Sequence, residues 1–291
     1  MSYPKKRNMS SEDKNAVLGG VLYLVATPIG NLSDITERAL KVLSEVDFVA
    51  AEDTRNSGLL LSRYGISKPL ISYYEHNKRE RGEIITDRIL AGESCALITD
   101  AGTPAISDPG EDIVRLAAER GITVTSIPGA CAAITALTLS GLPTGRFAFE
   151  GFLSTAKTER KERLTELAAE RRTLIIYEAP HRLRDTLDDL YKYFGNRKIS
   201  LCREMTKLNE DVMRTDIDGA IAYYKEKDPR GEYVLIIEGA GETADKSYPD
   251  DPTEHVRMYE SAGLSRMDAI KAAAKDRGVP KNQIYKLMIG E

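Results

Sequence analysis

The chain has 291 residues, 42% of them hydrophobic and 30% charged, with a formal net charge of -4. That length exceeds one compact core and implies two domains with a small appendage. The charge excludes a chain that is basic throughout, so any nucleic-acid contact must come from a local patch, and no apolar run approaches the roughly 20 residues a membrane helix needs.

Residues 1–18 are polar and lack the apolar core of a secretory signal, so they read as a disordered leader. Residues 21–26 (VLYLVA) form a short buried strand, ended by Thr27-Pro28-Ile29-Gly30-Asn31. Ser33 or Asp34 is placed to cap a helix over 35–46. A second strand covers 47–51, with Glu52-Asp53-Thr54-Arg55 at its end. A helix over 58–64, a strand over 70–74 and a helix ending over 86–91 follow. Residues 94–99 (SCALIT) make a strand that runs into Asp100-Ala101-Gly102-Thr103-Pro104. A helix over 112–120 ends at Gly121. A strand over 122–127 and a small-residue helix over 130–139 complete the first half.

This alternation of strand and helix predicts an α/β domain over 19–145, built on a mostly parallel sheet covered on both faces. Ligands of such sheets bind beyond the carboxyl ends of strands, which singles out the loops at 27–31, 100–107 and 128–132. A second α/β domain is expected over 146–247: a charged helix over 157–171, a strand over 173–177, a helix over 184–193, a strand over 198–203, a helix over 218–226 and a strand over 232–237. A Pro/Asp-rich linker leads to a helical domain over 248–291.

Asp100 to Gly110 (DAGTPAISDPG) is the most informative stretch. Small residues let backbone approach a ligand closely, and an acid at a strand end can bind an amino group or ribose hydroxyls. The stretch is neither GxxxxGK[ST] nor GxGxxG, so a small-molecule site without phosphate is favoured over a phosphate cradle. Pro128-Gly129-Ala130-Cys131-Ala132-Ala133 offers a tight turn and a helix start of little bulk. Cys95, Cys131 and Cys202 are too far apart for a metal motif or disulfide framework, which implies a reducing, cytoplasmic setting. His76, His181 and His255 are isolated in the sequence, so no metal site is expected.

The T-P-I-G-N turn, the D-A-G-T-P-x-I-S-D-P-G stretch and P-G-A-x-A-A, in this order and spacing, resemble the tetrapyrrole (corrin/porphyrin) methylase superfamily. A-E-D-T-R at 51–55, E-H-N at 75–77, G-F-L at 151–153, Y-E-A-P-H-R at 177–182, R-E-x-T-K at 203–207 and G-E-Y-V-L at 231–235 resemble its branch acting on small-subunit ribosomal RNA. The resemblance spans roughly 20–290. It implies two α/β domains of tetrapyrrole-methylase type with a C-terminal helix-turn-helix-like domain, and S-adenosylmethionine held between the two α/β domains. It also implies a homodimer, and 2′-O-methylation of cytidine 1402 of 16S rRNA in the assembled 30S subunit. Carried over by position, it assigns cofactor contacts to Pro28, Ala101, Gly102, Thr103, Ile106, Cys131, Ala132, Tyr177, Glu178 and Met205, with the loop's acid at Asp100.

Methyl transfer from a sulfonium needs no metal, but a ribose hydroxyl is a poor nucleophile and gains from a base. Glu52, Asp53 and Arg55 lie at a strand's carboxyl end. Arg55 suits phosphate or hydroxyl orientation through its planar fork, and Glu52 or Asp53 can accept the proton or fix Arg55. Asp100 is a second base candidate. Arg182 is a candidate for RNA phosphate, whereas the mixed-charge run over 157–172 reads as a solvated helix face. The tail over 264–288 holds six cations against two acids, in a helix-turn-helix pattern with Ala269, Ile270, Ala273, Val279, Ile284 and Leu287 on the buried side. Arg266, Lys271, Lys281 and Lys286 are its candidates for gripping rRNA. The rival readings are a methylase of a corrin, porphyrin or other small molecule, and a non-catalytic ribosome-assembly factor. The basic tail and A-E-D-T-R favour RNA.

Overall fold

A computed structural model of the chain describes residues 16–108, 110–241 and 248–289. Most of the expected leader (1–15) and Pro109 lie outside them. Contacts divide the chain into two compact units, Met1–Ala240 and Gly241–Glu291, and both sheets belong to the first.

The first sheet contains β1 (Val21–Val25), β2 (Phe48–Ala51), β3 (Leu70–Ser72), β4 (Cys95–Ile98) and β5 (Thr123–Ile127). All its pairings are parallel, in the order β3-β2-β4-β1-β5. β2 (FVAA) and β4 (CALI) are buried at every position because both faces are covered. On one face Tyr23, Val25, Val49 and Ile98 meet α1 (Glu37–Glu45) and Leu61 of α2 (Thr54–Arg63). On the other, Leu22, Phe48 and Leu97 meet Ile85 and Ile89 of α3 (Lys78–Leu90) and Ile113 of α4 (Glu111–Glu119). The chain leaves β1 toward β2 on one side and leaves the neighbouring β4 toward β5 on the other. The crevice between these two strand ends is therefore a topological switch point.

The second sheet contains β6 (Phe147–Phe152), β7 (Thr173–Glu178), β8 (Lys198–Arg203), β9 (Asp211–Asp216) and β10 (Tyr233–Ile237), in the order β6-β7-β10-β8-β9. Only β6 and β7 pair in parallel; the other pairings are antiparallel. One face packs on α6 (Lys157–Leu167), α7 (Leu183–Phe194) and α8 (Ile217–Glu226) through Leu164, Leu187 and Ile217. The other packs on α5 (Ala132–Leu139), whose Ala133, Ala136 and Leu137 meet Ile175, Val234 and Ile236. Helix α5 thus follows the last strand of the first sheet but buries its body on the second. Leu235, in the central strand β10, is fully buried. Leu235→Ala should lower unfolding free energy by about 2–5 kcal/mol through reduced apolar burial and a residual cavity, measurable by urea titration.

Several elements depart from the sequence reading. β6 and β9 were not foreseen. A bulge between Phe149 and Gly151 breaks the alternation of β6, and β9 is a charged edge strand with little apolar signal. Helix α1 is capped by Thr36, not by Ser33 or Asp34, because Asn31 first caps a 3-10 turn over Leu32–Asp34. Helix α2 begins at Thr54, four residues earlier than expected, since the Asp53 carboxylate accepts the Arg55 N–H as its cap.

The C-terminal unit holds α9 (Pro252–Ser261), α10 (Arg266–Arg277) and α11 (Lys281–Ile289). Ser265 caps α10, and Gly278, at φ 64°, ends it in the left-handed conformation. Val256, Ala269, Ile270, Ala273, Ala274 and Ile284 form its core. Leu287, expected on the buried side, is exposed, and Met288 packs on the core instead. His255 is fully buried: its Nδ1 accepts from Arg277 Nε at 3.2 Å, its Nε2 lies 3.5 Å from Asp276, and its ring stacks on Tyr248. Among the described residues no helix is long and apolar enough to cross a membrane.

Candidate active site

The three loops picked out in the sequence meet at the switch point. Thr27 and Gly102 exchange backbone hydrogen bonds of 2.9 and 3.1 Å, joining the turn after β1 to the loop after β4. Thr103 Oγ1 donates to the Ala130 carbonyl at 3.1 Å, adding the loop after β5. Gly129 sits so close to Ala26 that a Cβ would lie 2.8 Å from the alanine methyl. Gly102 adopts φ +82°, which a side chain would resist.

Between these loops and the second sheet lies a cavity of about 390 Å³, within the range of small-molecule sites. Its second wall is assembled by strand pairing: Tyr233 stands beside Glu178 on one side and Arg203 on the other. That register brings together three stretches of the chain, Tyr177 to Pro180, Met205 to Lys207, and Glu232 to Val234. The cavity is mainly apolar, and Asp108, Glu178 and Glu232 face it against one cation, Lys207.

Backbone strain concentrates in its rim. Among the described residues, Ala105, Ser107, Glu204 and Thr206 are the non-glycine residues with positive φ, from 51° to 69°. Each such conformation costs about 1–3 kcal/mol and persists only where its surroundings enforce it. Glycines admit the close approaches nearby: a Cβ on Gly30 would lie 2.3 Å from Lys207 Cγ, and one on Gly151 2.8 Å from Ser107 Oγ.

Most of the expected cofactor residues converge here. Ala101, Gly102, Thr103, Ile106, Cys131, Ala132, Tyr177, Glu178 and Met205 all line the cavity. Tyr177 Oη accepts the Ala133 N–H at 3.2 Å, and burial pushes its phenol up to about 12. Glu178 is a fixed part of the wall: its carboxylate accepts from the Thr186 hydroxyl and the Ala179 N–H and lies 3.5 Å from Arg182 Nε. Pro28 and Asp100 are not among the lining residues. Pro28 is buried behind the wall and Ile29 takes its place. Asp100 faces a neighbouring hollow and accepts from Asn56 Nδ2 at 3.4 Å.

Asp108 escaped the sequence reading as a site residue, although the motif holding it did not. It is half-buried in the cavity wall. Burial pushes its carboxyl up to about 6, helped by the negative charges of Glu52 and Asp100 and opposed by a hydrogen bond with the Thr99 side chain. Glu52 is raised for the same reasons, burial first and then Asp100. Asp53 is held below the usual carboxylate range, chiefly by the Arg55 N–H, so of the two candidate bases beside Arg55 it is the weaker. The Arg55 guanidinium is 89% exposed and meets Asp53 through two long contacts of 3.5 Å. Lys207, Glu232 and Tyr233 also escaped, although R-E-x-T-K and G-E-Y-V-L contain them.

None of the candidate RNA residues is among those that line the cavity. Arg182 is engaged inside the protein, donating to the Leu153 carbonyl at 2.7 Å beside Glu178. In the C-terminal unit Arg266 donates to the Met288 carbonyl at 3.3 Å, and Lys271 pairs with Asp268 at 3.2 Å. Lys281 and Lys286 lie on α11. Among the described residues, no group of three or more His, Cys, Asp or Glu side chains is placed to hold a metal ion.

Residues 21–221 match the family model of the tetrapyrrole (corrin/porphyrin) methylases. Solved structures share the fold at low identity. Uroporphyrin-III-C-methyltransferase from Thermus thermophilus superposes with TM-score 0.54 at 20% identity, covering 75% of this chain and 94% of that one. A diphthine synthase superposes with TM-score 0.58 at 14% identity, covering 75% and 90%. The chain belongs to the tetrapyrrole methylase family, a family of methyltransferases. Within it the chain groups with the proteins named ribosomal RNA small subunit methyltransferase I. The Halalkalibacterium halodurans protein of that name is 48% identical over 92% of this chain and 94% of its own length. That of Bacillus subtilis (strain 168) is 44% identical over 96% and 97%.

Proposed function

We propose that this protein is an S-adenosylmethionine-dependent methyltransferase of small-subunit ribosomal RNA, acting on the ribose 2′-hydroxyl of cytidine 1402 in the 30S subunit. The names of its relatives support the RNA substrate. The observation that carries the cofactor reading is the cavity at the switch point: it is lined by the small residues Ala101, Gly102 and Ala132 and by more acids than cations, and the sequence around it has neither GxGxxG nor GxxxxGK[ST]. Such a wall suits a cationic sulfonium better than a nucleotide phosphate. Ala101, Gly102, Thr103, Ile106, Cys131, Ala132, Tyr177 and Met205 would hold the cofactor, with Ile29 packed against it.

When bound, S-adenosylmethionine supplies a methyl group on a sulfonium whose thioether leaves uncharged. The protein must then hold the ribose hydroxyl in line and take its proton. Holding the reacting groups together can remove about 7–11 kcal/mol of barrier. The Asp108 carboxylate is the proposed proton acceptor: it faces the cavity, and a base that titrates near 6 is ionised at neutral pH yet basic enough to help. Glu52, at the end of β2, keeps its own charge close to Asp108 and sustains that basicity. Arg55, open to solvent, is the proposed contact to a phosphate beside the target.

The C-terminal unit is the proposed rRNA grip, through Arg266, Lys271, Lys281 and Lys286, and the protein is proposed to work as a homodimer in the cytoplasm. Lys281→Glu with Lys286→Glu should weaken binding to small subunits and flatten its salt dependence, by roughly 0.9 in log-log slope for each phosphate no longer neutralised. Filter binding between 50 and 300 mM salt, on the order of the range where such contacts dominate, measures both. An unchanged slope removes α11 from the RNA interface. The overall proposal is tested by incubating the protein with tritiated-methyl cofactor and small subunits from cells lacking it. Label is expected in rRNA ribose; label absent from RNA refutes the proposal.

A further inference from the structure

The Met1–Ala240 unit holds a second hollow of about 330 Å³ beside the cofactor cavity. Leu32 of the 3-10 turn, one stripe of α2, and Thr99 and Asp100 at the end of β4 line it, and it opens to solvent. Asn56, Leu59, Leu60 and Arg63 recur on α2 at the spacing of one helix face. Leu59 is 70% exposed and Leu32 44%, an apolar surface turned to solvent. The same lining holds a polar pair, Asn56 Nδ2 donating to Asp100 Oδ2 across 3.4 Å, a long bond that a better partner can replace. Thr99 and Asp100 bound this hollow, whereas the next residues, Ala101 and Gly102, bound the cofactor cavity. One loop therefore walls both, and the carboxyls of Glu52 and Asp108 both sense the charge of Asp100.

Resting on the rRNA reading, we infer that this hollow receives the base of the target nucleotide, turned out of its stack, and that Asn56 and Asp100 select a base with an amino group beside a ring acceptor. A carboxylate only accepts hydrogen bonds. It takes the exocyclic amino N–H of such a base, while the Asn56 amide donates to the adjacent ring nitrogen. Uracil puts a carbonyl oxygen where the amino group stands, which leaves the Asp100 carboxylate facing a second acceptor. Leu32 and Leu59 give the ring apolar faces. Arg55 and Arg63, one turn to either side of Leu59, are spaced for phosphates flanking the extruded nucleotide. The loop shared with the cofactor cavity places the attached ribose toward Asp108.

The test uses the full-length protein and reconstituted small subunits carrying either cytidine or uridine at the target position. Wild-type protein should favour the cytidine subunits by at least about a hundredfold, as expected when a polar pair covered by the seated base is mismatched. Asp100→Asn supplies an amide that can donate to the uracil carbonyl. It should lower transfer to cytidine at least tenfold and shrink the preference to within about tenfold, with cofactor affinity by calorimetry unchanged within about threefold. Asn56→Ala should lower transfer to cytidine with the same retained cofactor affinity. Equal wild-type transfer to both subunits overturns the inference and leaves the rRNA reading standing. So does an Asp100→Asn protein that keeps the wild-type preference, or one whose cofactor affinity falls in step with transfer. No wild-type transfer to either subunit overturns the rRNA reading, and this inference with it.

Discussion

Asp108→Asn should lower the rate of methyl transfer by about a hundredfold to ten-thousandfold, the span of a missing general base, and leave cofactor affinity within a few fold. The asparagine amide is close to isosteric with the carboxyl and can keep a hydrogen bond to the Thr99 side chain, but it cannot take a proton. The pH dependence gives the sharper readout. Burial and the charges of Glu52 and Asp100 push the Asp108 carboxyl up to about 6, and the base form must be ionised. Wild-type turnover should therefore climb about tenfold per pH unit below 6 and level off above it. The asparagine variant should lose that acidic limb. Stability separates this role from a structural one. A carboxyl whose folded pKa lies above its unfolded value adds stability at acid pH, and that stability is lost as pH rises through about 6. The variant should thus melt no lower than the wild type at pH 8, with a small difference because the group is only half-buried. A variant that retains wild-type turnover across pH 5–8, a window of about three units that spans that value, contradicts the assignment.

Ala132→Phe should raise the dissociation constant for S-adenosylmethionine at least about a hundredfold, or roughly 2.7 kcal/mol. Ala132 opens α5 and contributes almost no bulk to the wall it shares with Cys131 and Gly102. A benzyl group there projects into a cavity of about 390 Å³ and takes space the ligand needs. The body of α5 packs through Ala133, Ala136 and Leu137, which the change does not touch, so the melting temperature should move by only a few degrees. Calorimetric titration with the cofactor decides the matter. Unaltered affinity in a folded Ala132→Phe protein places the cofactor elsewhere.

The first sheet was legible because a parallel strand buried on both faces writes a continuous apolar run, as β2 and β4 do. The three loops were legible because close backbone approach demands glycine, alanine and proline at the strand ends. The orientation of individual residues was not. Pro28 and Ile29 are neighbours, yet only Ile29 lines the cavity. Asp100 and Ala101 likewise fall on opposite sides of one loop, as residues leaving a strand alternate in direction. The second wall was hidden for a different reason. Glu178, Arg203 and Tyr233 become neighbours only through antiparallel pairing of β7, β10 and β8, and periodicity within each strand carries no information on its partner. The basicity of Asp108 was equally invisible, since it arises from burial and from Glu52 and Asp100, 56 and 8 residues earlier in the chain. In the C-terminal unit the 3.6-residue pattern located Ala269, Ile270, Ala273 and Ile284 in the core, whereas Leu287, also expected there, is exposed near the end of α11 and Met288 packs on the core.

The most direct measurement is mass spectrometry of nuclease-digested small-subunit rRNA from cells with and without this protein. The deletion should remove one methyl group, from the ribose of cytidine 1402, and the wild-type gene should restore it while the Asp108→Asn gene does not. An rRNA whose ribose methylation is identical in the two strains would contradict the proposal.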